Sequence, residues 1–340
     1  MDAAAREMLR ERTSRSGDWM LADLLRAKAD RQLSVSVILP AQNEESTVGP
    51  IVEAIRGSFI DAPGSPLVDE LLVLDSGSTD STAALATRAG ARVTHRDEVL
   101  PRIPTVSGKG EAMWRALAAT SGDLVVFVDA DLRSFNPSYI TGLLGPLLTN
   151  PGIHLVKAVY ERPLHHEGGV SAAGGGRVTE LVARPLLNLY WPSLAGVIQP
   201  LAGEYAARRG LLEQLPFPCG YGVEFALLVD TAETVGVGGI AQVDLGVRLH
   251  RHHQDLRLGR MSAEILQTAW SRLDSAGHLR RDAGIGTTLS QFEQTGAATA
   301  AGYTVTTHDV AGLERPPLRT VPEYRASRVP RLLPGRSQPT

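Results

Sequence analysis

Leu-Val-Val-Phe-Val-Asp-Ala-Asp, residues 124–131, is a short apolar run that ends at two carboxylates. An apolar run without polar alternation is typical of a strand that is covered on both faces, as in a parallel sheet. Three other runs have the same character and predict further strands: Ser34–Leu39, Glu70–Leu74 and Ala91–His95. These four runs therefore predict a parallel sheet in the first half of the chain.

Helical stretches separate these strands, and the alternation predicts a doubly wound α/β sheet over residues 34–150. The predicted helices are residues 18–31, Thr47–Arg56, Ser81–Ala89, Gly110–Ala119 and a segment capped by Asn136 that runs to about Leu148. Farther along, we expect strands at Ile153–Tyr160 and Ile240–His250 and helices at Val178–Tyr190, Gly222–Val235 and Arg260–Leu273. Residues 315–340 are rich in arginine and proline, which predicts a tail rather than a domain.

The composition is that of an ordinary globular protein of 340 residues, 43% hydrophobic and 21% charged. A formal net charge of −3 excludes the strongly basic surface of a nucleic-acid coat protein, so we expect no nucleic-acid partner. The single cysteine, Cys219, excludes an intrachain disulfide and a cysteine-based zinc site, and it fits a cytoplasmic setting. No segment has the pattern of a targeting peptide or a membrane-spanning helix, so we expect no membrane association.

Polar residues follow three of the predicted strands at the point where each strand ends. The three segments are Pro40-Ala41-Gln42-Asn43-Glu44-Glu45, Asp75-Ser76-Gly77-Ser78-Thr79-Asp80 and Asp129-Ala130-Asp131. Ligands of open α/β sheets bind beyond the carboxyl ends of the strands. The paired carboxylates Asp129 and Asp131 suit a divalent cation whose other ligands come from a diphosphate, or else a solvated turn. Asp75 suits a base or ribose, and the same loop suits the cap of the next helix.

Four further features suit charged or sugar ligands. Lys109, between two glycines at a helix start, suits a phosphate or an acidic carboxylate, although a surface lysine is the alternative. The run Gly174-Gly175-Gly176-Arg177-Val178-Thr179 suits a small anion, held by backbone N–H groups and a guanidinium, or else a flexible linker. Glu224 suits a sugar hydroxyl or the dipole of the helix that it opens. His250 and His252 share one face and suit a metal ion or a solvated surface.

Two common enzyme classes lack their sequence motifs. The chain has no G-x-S-x-G elbow, which argues against a serine hydrolase. The first strand is followed by Pro40-Ala41-Gln42-Asn43 instead of G-x-G-x-x-G, which argues against a dinucleotide-binding oxidoreductase.

These motifs together resemble the GT-A glycosyltransferases, and four segments are similar to the actinobacterial glucosyl-3-phosphoglycerate synthases. The segments are Gly108–Trp114, Gly174–Pro185, Gln199–Ala206 and Gly220–Glu224, within a resemblance that covers about residues 18–275. The resemblance implies a GT-A fold with a Rossmann-like, mostly parallel sheet flanked by helices. It also implies a homodimer that transfers glucose, with retention, from UDP-glucose to the 2-hydroxyl of 3-phosphoglycerate, and a divalent metal ion, Mg²⁺ or Mn²⁺.

The resemblance further implies a division of the chain and a role for each site residue. Residues 1–33 would be an N-terminal helical segment, 34–131 the nucleotide-sugar-binding half of the GT-A domain, 132–255 its acceptor-binding half, and 256–340 a C-terminal helix with an Arg/Pro-rich tail. The donor-binding residues would be Pro40, Ala41, Glu44, Asp75, Ser76, Lys109, Asp129, Ala130 and Asp131. The acceptor-binding residues would be Gly176, Arg177, Thr179 and His252, the metal ligands Asp131 and His250, and the catalytic candidates Asp129, Glu224 and Leu201. The family usually has serine at Ala130 and asparagine at His252.

Three alternative functions stay open on the sequence alone. A mannosyl-3-phosphoglycerate synthase that uses GDP-mannose shares much of the same framework. A nucleotidyltransferase also uses an α/β sheet and a metal ion, but it would need a basic glycine-rich loop where this chain has the acidic segment Gln42–Glu45. A non-catalytic sugar-nucleotide sensor would bind UDP-glucose without releasing UDP.

Overall fold

An eight-stranded sheet forms the centre of the part of the chain that is described. The computed structural model describes residues 2–161, 164–166, 169–171, 176–247, 255–279, 286–294 and 303–328. The strands are β1 (Thr13–Arg15), β2 (Val35–Ala41), β3 (Glu70–Asp75), β4 (Arg92–His95), β5 (Leu124–Phe127), β6 (Leu155–Glu161), β7 (Leu164–His166), β8 (Gly169–Ser171), β9 (Tyr205–Arg208), β10 (Phe217–Pro218), β11 (Ile240–Val247), β12 (Thr288–Gln294), β13 (Tyr303–Asp309) and β14 (Glu314–Arg315).

The α-helices alternate with these strands over much of the chain. They are α1 (Ala3–Glu11), α2 (Leu21–Asp30), α3 (Val48–Phe59), α4 (Thr82–Arg88), α5 (Lys109–Ala118), α6 (Ser138–Thr149), α7 (Arg184–Tyr190), α8 (Arg209–Leu212), α9 (Val223–Val235), α10 (Asp255–Ser275) and α11 (Pro322–Arg328). Among the described residues, none of these helices combines the length and the apolar character that crossing a bilayer requires.

The sheet has the strand order β1-β11-β6-β9-β5-β2-β3-β4. β9 runs antiparallel to its neighbours β5 and β6, and the other pairs of adjacent strands are parallel. The doubly wound, mostly parallel α/β fold expected from the sequence is confirmed. β2, β3 and β4 pair in sequence order toward one edge of the sheet. β5 lies on the other side of β2, so the strand order reverses between β2 and β5.

Helices cover both faces of this sheet, because its strands carry apolar side chains on both sides. In β2, Val35, Val37 and Leu39 belong to a core that includes residues of α3 and α6, whereas Ile38 belongs to a second core that includes residues of α5 and α9. This double covering explains why the strands appear in the sequence as continuous apolar runs.

The C-terminal segment differs from the sequence expectation. Residues 314–328 pack on the domain: β14 pairs with β10, and Leu318, Val321 and Tyr324 are buried. Arg315 forms ion pairs with the fully buried Glu111 of α5, at 2.5 Å and 2.9 Å, which anchors the segment. The segment predicted as a tail, residues 315–340, therefore packs on the domain over residues 315–328. An arginine-rich composition does not reveal this packing, because the buried partner Glu111 lies 204 positions away.

Two smaller differences concern local structure. The N-terminal segment contributes more than helices, since β1 pairs in parallel with β11 and extends the sheet. The predicted helix Val178–Tyr190 begins with a π-helical turn at Thr179–Ala183, before α7. Its first turn is wider than an α-helix and lies at the predicted anion-binding run; such π-helical turns are frequent at functional sites.

Candidate active site

A cleft of about 1080 Å³ opens beyond the carboxyl ends of β2 and β5. Because the strand order reverses between these two strands, this is the place where open α/β sheets bind their ligands. Of the site residues predicted from the sequence, those that line the cleft are Pro40, Ala41, Glu44, Ser76, Lys109, Asp129, Ala130, Asp131, Gly176, Arg177, Thr179, Leu201 and Glu224. His250 and His252 lie outside the described residues.

Lys109 connects the two acidic residues that are expected to face the sugar. Its Nζ lies 2.9 Å from Oδ1 of Asp129 and 2.7 Å from Oε1 of Glu224. Burial disfavours the charged ammonium, but the two carboxylates outweigh this effect and hold the pKa of Lys109 well above its usual range. The sequence suggested a phosphate or an acidic carboxylate beside Lys109, and the carboxylates of Asp129 and Glu224 lie there in the structure.

The start of α5, which carries Lys109, is held against the loop that leads into α9. A Cβ on Gly108 would lie 2.2 Å from the backbone oxygen of Cys219, and one on Gly110 would lie 1.8 Å from that of Pro218. Glu111 adds a backbone hydrogen bond of 3.1 Å from its N–H to the Cys219 oxygen. Only glycine permits this contact between the two segments, which brings Lys109 to the first turn of α9, where Glu224 lies.

The loops that follow β2 and β3 hydrogen-bond to each other beside the cleft. Asn43 has a left-handed backbone (φ 58°), its N–H donates to Oγ of Ser78 at 3.0 Å, and its Oδ1 accepts from the Thr79 N–H at 2.8 Å. Asp75 does not line the cleft: it is buried, and its Oδ1 accepts from the Ser78 N–H at 3.1 Å. The structure thus uses Asp75 to shape the loop and leaves Ser76 at the cleft surface.

Asp129 and Asp131 bring two carboxylates to the cleft after β5. Within the described residues, no group of three or more histidine, cysteine, aspartate and glutamate side chains is placed to hold a metal ion. The donor set nevertheless fits a hard divalent cation, because carboxylate oxygens are the ligands that Mg²⁺ and Mn²⁺ prefer and a diphosphate supplies further oxygens.

Gly203 makes room for the Asp129 carboxylate. A Cβ at this position would lie 2.2 Å from Oδ2 and 2.5 Å from Oδ1 of Asp129, which is far inside van der Waals contact. Sequence reasoning did not select Gly203, since a glycine before a strand carries no signal of what approaches it.

Replacing Gly203 with alanine is expected to push the Asp129 carboxylate away from Lys109 and to lower kcat about tenfold, since small misplacements of reacting groups are costly. Steady-state kinetics measure the effect. The matched control is Gly210→Ala in α8, where a Cβ would meet nothing within 4 Å; its kcat should stay within about twofold of wild type, as is usual for surface substitutions. A Gly203→Ala variant with wild-type kcat would contradict the packing constraint.

The acceptor candidates lie where the π-helical turn begins. Gly176 has a left-handed backbone (φ 87°), Thr179 is buried, and Arg177 is exposed at the rim of the cleft. The backbone N–H groups of such a first turn and a guanidinium form a suitable environment for an anion. The preceding glycines, Gly174 and Gly175, are outside the described residues.

The cleft also has lining residues that the sequence analysis missed. α10 contributes Arg257, Arg260 and Glu264, and the segment 309–313 before β14 forms another wall. Glu264 accepts the Tyr221 N–H at 2.8 Å and so holds the loop before α9. The α10 residues that line the cleft and those that pack in the core follow the same helical spacing. The sequence therefore does not distinguish them, and only their position in the fold identifies the residues of the site.

Comparisons with known proteins agree with this geometry. Residues 36–165 match the model of the family described as Glycosyl transferase family 2. The chain is 48% identical to the glucosyl-3-phosphoglycerate synthase of Mycolicibacterium paratuberculosis (92% of each chain) and 50% identical to that of Mycolicibacterium smegmatis (89% of this chain, 94% of the relative).

Two solved structures are similar to this chain over nearly its full length. A crystal structure of glucosyl-3-phosphoglycerate synthase from Mycobacterium tuberculosis, in complex with Mn²⁺, UDP and phosphoglyceric acid, superposes with a TM-score of 0.78 at 46% identity, covering 92% of this chain and 99% of that one. Mannosyl-3-phosphoglycerate synthase from Rubrobacter xylanophilus superposes with a TM-score of 0.83 at 40% identity, covering 93% and 99%. With about half of its residues shared over nearly the full length of such proteins, the chain belongs to the glucosyl-3-phosphoglycerate synthase family.

Proposed function

We propose that this protein transfers glucose from UDP-glucose to the 2-hydroxyl of 3-phosphoglycerate, with retention of configuration. The observation that carries the proposal is the continuous lining of one cleft by the acidic pair Asp129 and Glu224, the donor candidates and the acceptor candidates. The relatives named glucosyl-3-phosphoglycerate synthase support the same reaction. A related crystal structure from Mycobacterium tuberculosis holds UDP-glucose and phosphoglyceric acid together with Mn²⁺.

The donor would lie along the carboxyl edge of the sheet. Pro40, Ala41 and Glu44 follow β2, and Ser76 follows β3, so these residues would surround the uridine end, with Ala130 along the nucleotide. Asp75 would act on this end indirectly, because its carboxylate holds the loop that carries Ser76. The diphosphate would then extend toward Asp131.

At the reacting centre, charge is arranged around the sugar. The two carboxylates Asp129 and Glu224 share one ammonium, Lys109, so the group carries one net negative charge. Such a surrounding favours the positive charge that develops on the anomeric carbon as the bond to UDP breaks. Leu201, at the wall of the cleft, would present its backbone carbonyl to the same centre.

A divalent cation, Mg²⁺ or Mn²⁺, would be held by Asp131 and His250 and would offset the negative charge on the leaving UDP. The related crystal structures hold either Mn²⁺ or Mg²⁺ with UDP. For the acceptor, Arg177, Thr179 and the Gly176 backbone would bind the anionic groups of 3-phosphoglycerate and hold its 2-hydroxyl near the anomeric carbon, while His252 would add a further contact.

Two further parts of the proposal concern setting and assembly. The buried free thiol of Cys219 supports a reducing, cytoplasmic location. The family resemblance also implies a homodimer, which is part of the same proposal. It further implies that the chain is divided into segments after residues 33, 131 and 255.

Transfer of mannose is the second candidate function, because the Rubrobacter xylanophilus structure is a mannosyl-3-phosphoglycerate synthase. The identity of 46% to the glucosyl enzyme of Mycobacterium tuberculosis, against 40% to this mannosyl enzyme, favours glucose.

A donor–acceptor grid separates these functions. UDP release is measured with UDP-glucose, and GDP release with GDP-glucose and GDP-mannose, each with 3-phosphoglycerate and with no acceptor. We expect UDP-glucose with 3-phosphoglycerate to give the highest kcat/KM. Preference for GDP-mannose would replace the proposal with the mannosyl function, and binding of UDP-glucose without acceptor-dependent UDP release would indicate a sensor.

A further inference from the structure

Lys157 of β6 is a buried charge directly beneath the cleft. Its side chain is 1% exposed, it pairs in register with Tyr205 of β9, and its Nζ lies 5.0 Å from the centre of the Tyr205 ring. Burying an ammonium in a sheet costs several kcal/mol unless charged or polar groups compensate it. An apolar residue at this position of β6 would avoid the desolvation free energy of the buried charge. The presence of Lys157 therefore indicates a role beyond packing.

Lys157 binds the turn that carries Leu201. Its Nζ donates to the Ala202 carbonyl oxygen at 2.5 Å, while the Ala202 N–H donates to the Gln199 oxygen at 3.1 Å. Both backbone polar groups of Ala202 are therefore fixed. The Leu201 carbonyl belongs to the same planar trans peptide as the Ala202 N–H, so it points in the opposite direction, away from Gln199.

Two neighbouring contacts also hold this turn. The Gln199 side chain donates to the Tyr160 carbonyl, and Gly203, the residue after Ala202, packs against the Asp129 carboxylate. Lys157 thus adds a contact from a charged side chain of β6 to this turn.

We infer that Lys157 is a positioning residue that fixes the Leu201 carbonyl at the reacting centre. The inference rests on the proposed function, because it assumes that Leu201 faces the reacting sugar. Lys157 touches neither substrate in this arrangement and acts through the Ala202 peptide.

The charged groups that face Lys157 come from four elements. Glu224 of α9, Glu204 just before β9 and Asp129 after β5 favour its charged form, whereas Lys109 of α5 disfavours it. Burial is the largest effect and lowers the pKa of Lys157 to about 8. The pKa values of Lys109 and Tyr205 are instead raised well above their usual ranges. The lowered pKa predicts that Lys157 loses its charge at mildly alkaline pH.

The test compares Lys157→Met with Lys28→Met. Lys28 is a matched control because it is also buried and donates to a backbone oxygen, that of Pro66, at 2.7 Å, but it lies on α2 and does not line the cleft. We expect Lys157→Met to lower kcat at least about tenfold with the KM for UDP-glucose within about threefold, because a misplaced reacting group affects the chemical step. Lys28→Met should lower thermal stability and leave kcat near wild type.

A pH profile of kcat provides the readout that a structural role would not move. The wild-type kcat should fall as pH rises through the Lys157 pKa of about 8. Lys157→Met should abolish this alkaline decline, and Lys157→Arg should move it to higher pH. An alkaline decline that persists in Lys157→Met, or a kcat loss no larger than that of Lys28→Met, overturns the inference.

If the Lys157 variants do not fold, the wild-type profile decides, since a kcat that stays flat across the alkaline range overturns the inference and a decline near the stated pKa supports it. The donor–acceptor grid is measured first on the wild-type protein. A wild-type protein that is inactive on the whole grid refutes the proposed function, whereas an active wild type with an inert Lys157 position refutes only the role of Lys157.

Discussion

Asp131→Asn is expected to lower kcat/KM about a thousandfold. Asparagine keeps the shape of the side chain but removes the charge that would hold a divalent cation at the end of β5, where Asp131 lines the cleft. A bound cation that offsets the charge on a leaving diphosphate contributes several kcal/mol to the rate, and each 1.36 kcal/mol corresponds to about a tenfold change. The measurement is UDP release over a titration of Mg²⁺, together with Mn²⁺ binding in the presence of UDP.

The matched control is Asp123→Asn, at the opposite end of β5. Asp123 accepts hydrogen bonds from the N–H and the hydroxyl of Ser34, at 2.8 Å and 2.6 Å, and does not line the cleft. This substitution should cost about 1 kcal/mol of stability and leave the dependence on Mg²⁺ unchanged. An Asp131→Asn variant that binds Mn²⁺ with UDP as tightly as wild type would remove Asp131 from the metal site.

The strands around this site could be predicted because local sequence determines them. β2, β3 and β5 are buried on both faces, so they are continuous apolar runs, and each ends where polar residues meet the cleft. Since parallel strands place their carboxyl ends at one edge, three separate segments of sequence predict a single site there. The same reasoning predicted the helices that follow these strands.

Features that depend on contacts between distant segments could not be predicted in this way. The ion pairs between Arg315 and Glu111 and the pairing of β14 with β10 convert an apparent tail into part of the core. Gly203 lies against Asp129, and Lys157 binds the turn that carries Leu201, through contacts between segments that are distant in the sequence. The sequence does show Lys157 inside the apolar strand β6. A lysine at such a position indicates a buried charge, and this signal would have pointed to Lys157.

Glu224→Gln is the second substitution with a large expected effect, a loss of about 100-fold or more in kcat. The Glu224 side chain is 5% exposed and lies 2.7 Å from Nζ of Lys109. Removing one member of a buried ion pair typically costs about 3–5 kcal/mol of stability, because the remaining charge stays buried with less compensation. Lys109 would then pair with Asp129 as the remaining charged member of the group, and the net negative charge that faces the sugar would disappear.

The matched control is Glu233→Gln, which makes the same change on the exposed side of the same helix, α9, away from the cleft. Its kcat should equal that of wild type. The double variant Lys109→Met/Glu224→Gln tests the mechanism further, because two residues that act as one charge unit give a combined loss smaller than the product of the single losses. Losses that multiply would mean that Lys109 and Glu224 act separately, and the shared charge arrangement would then not be the basis of rate enhancement.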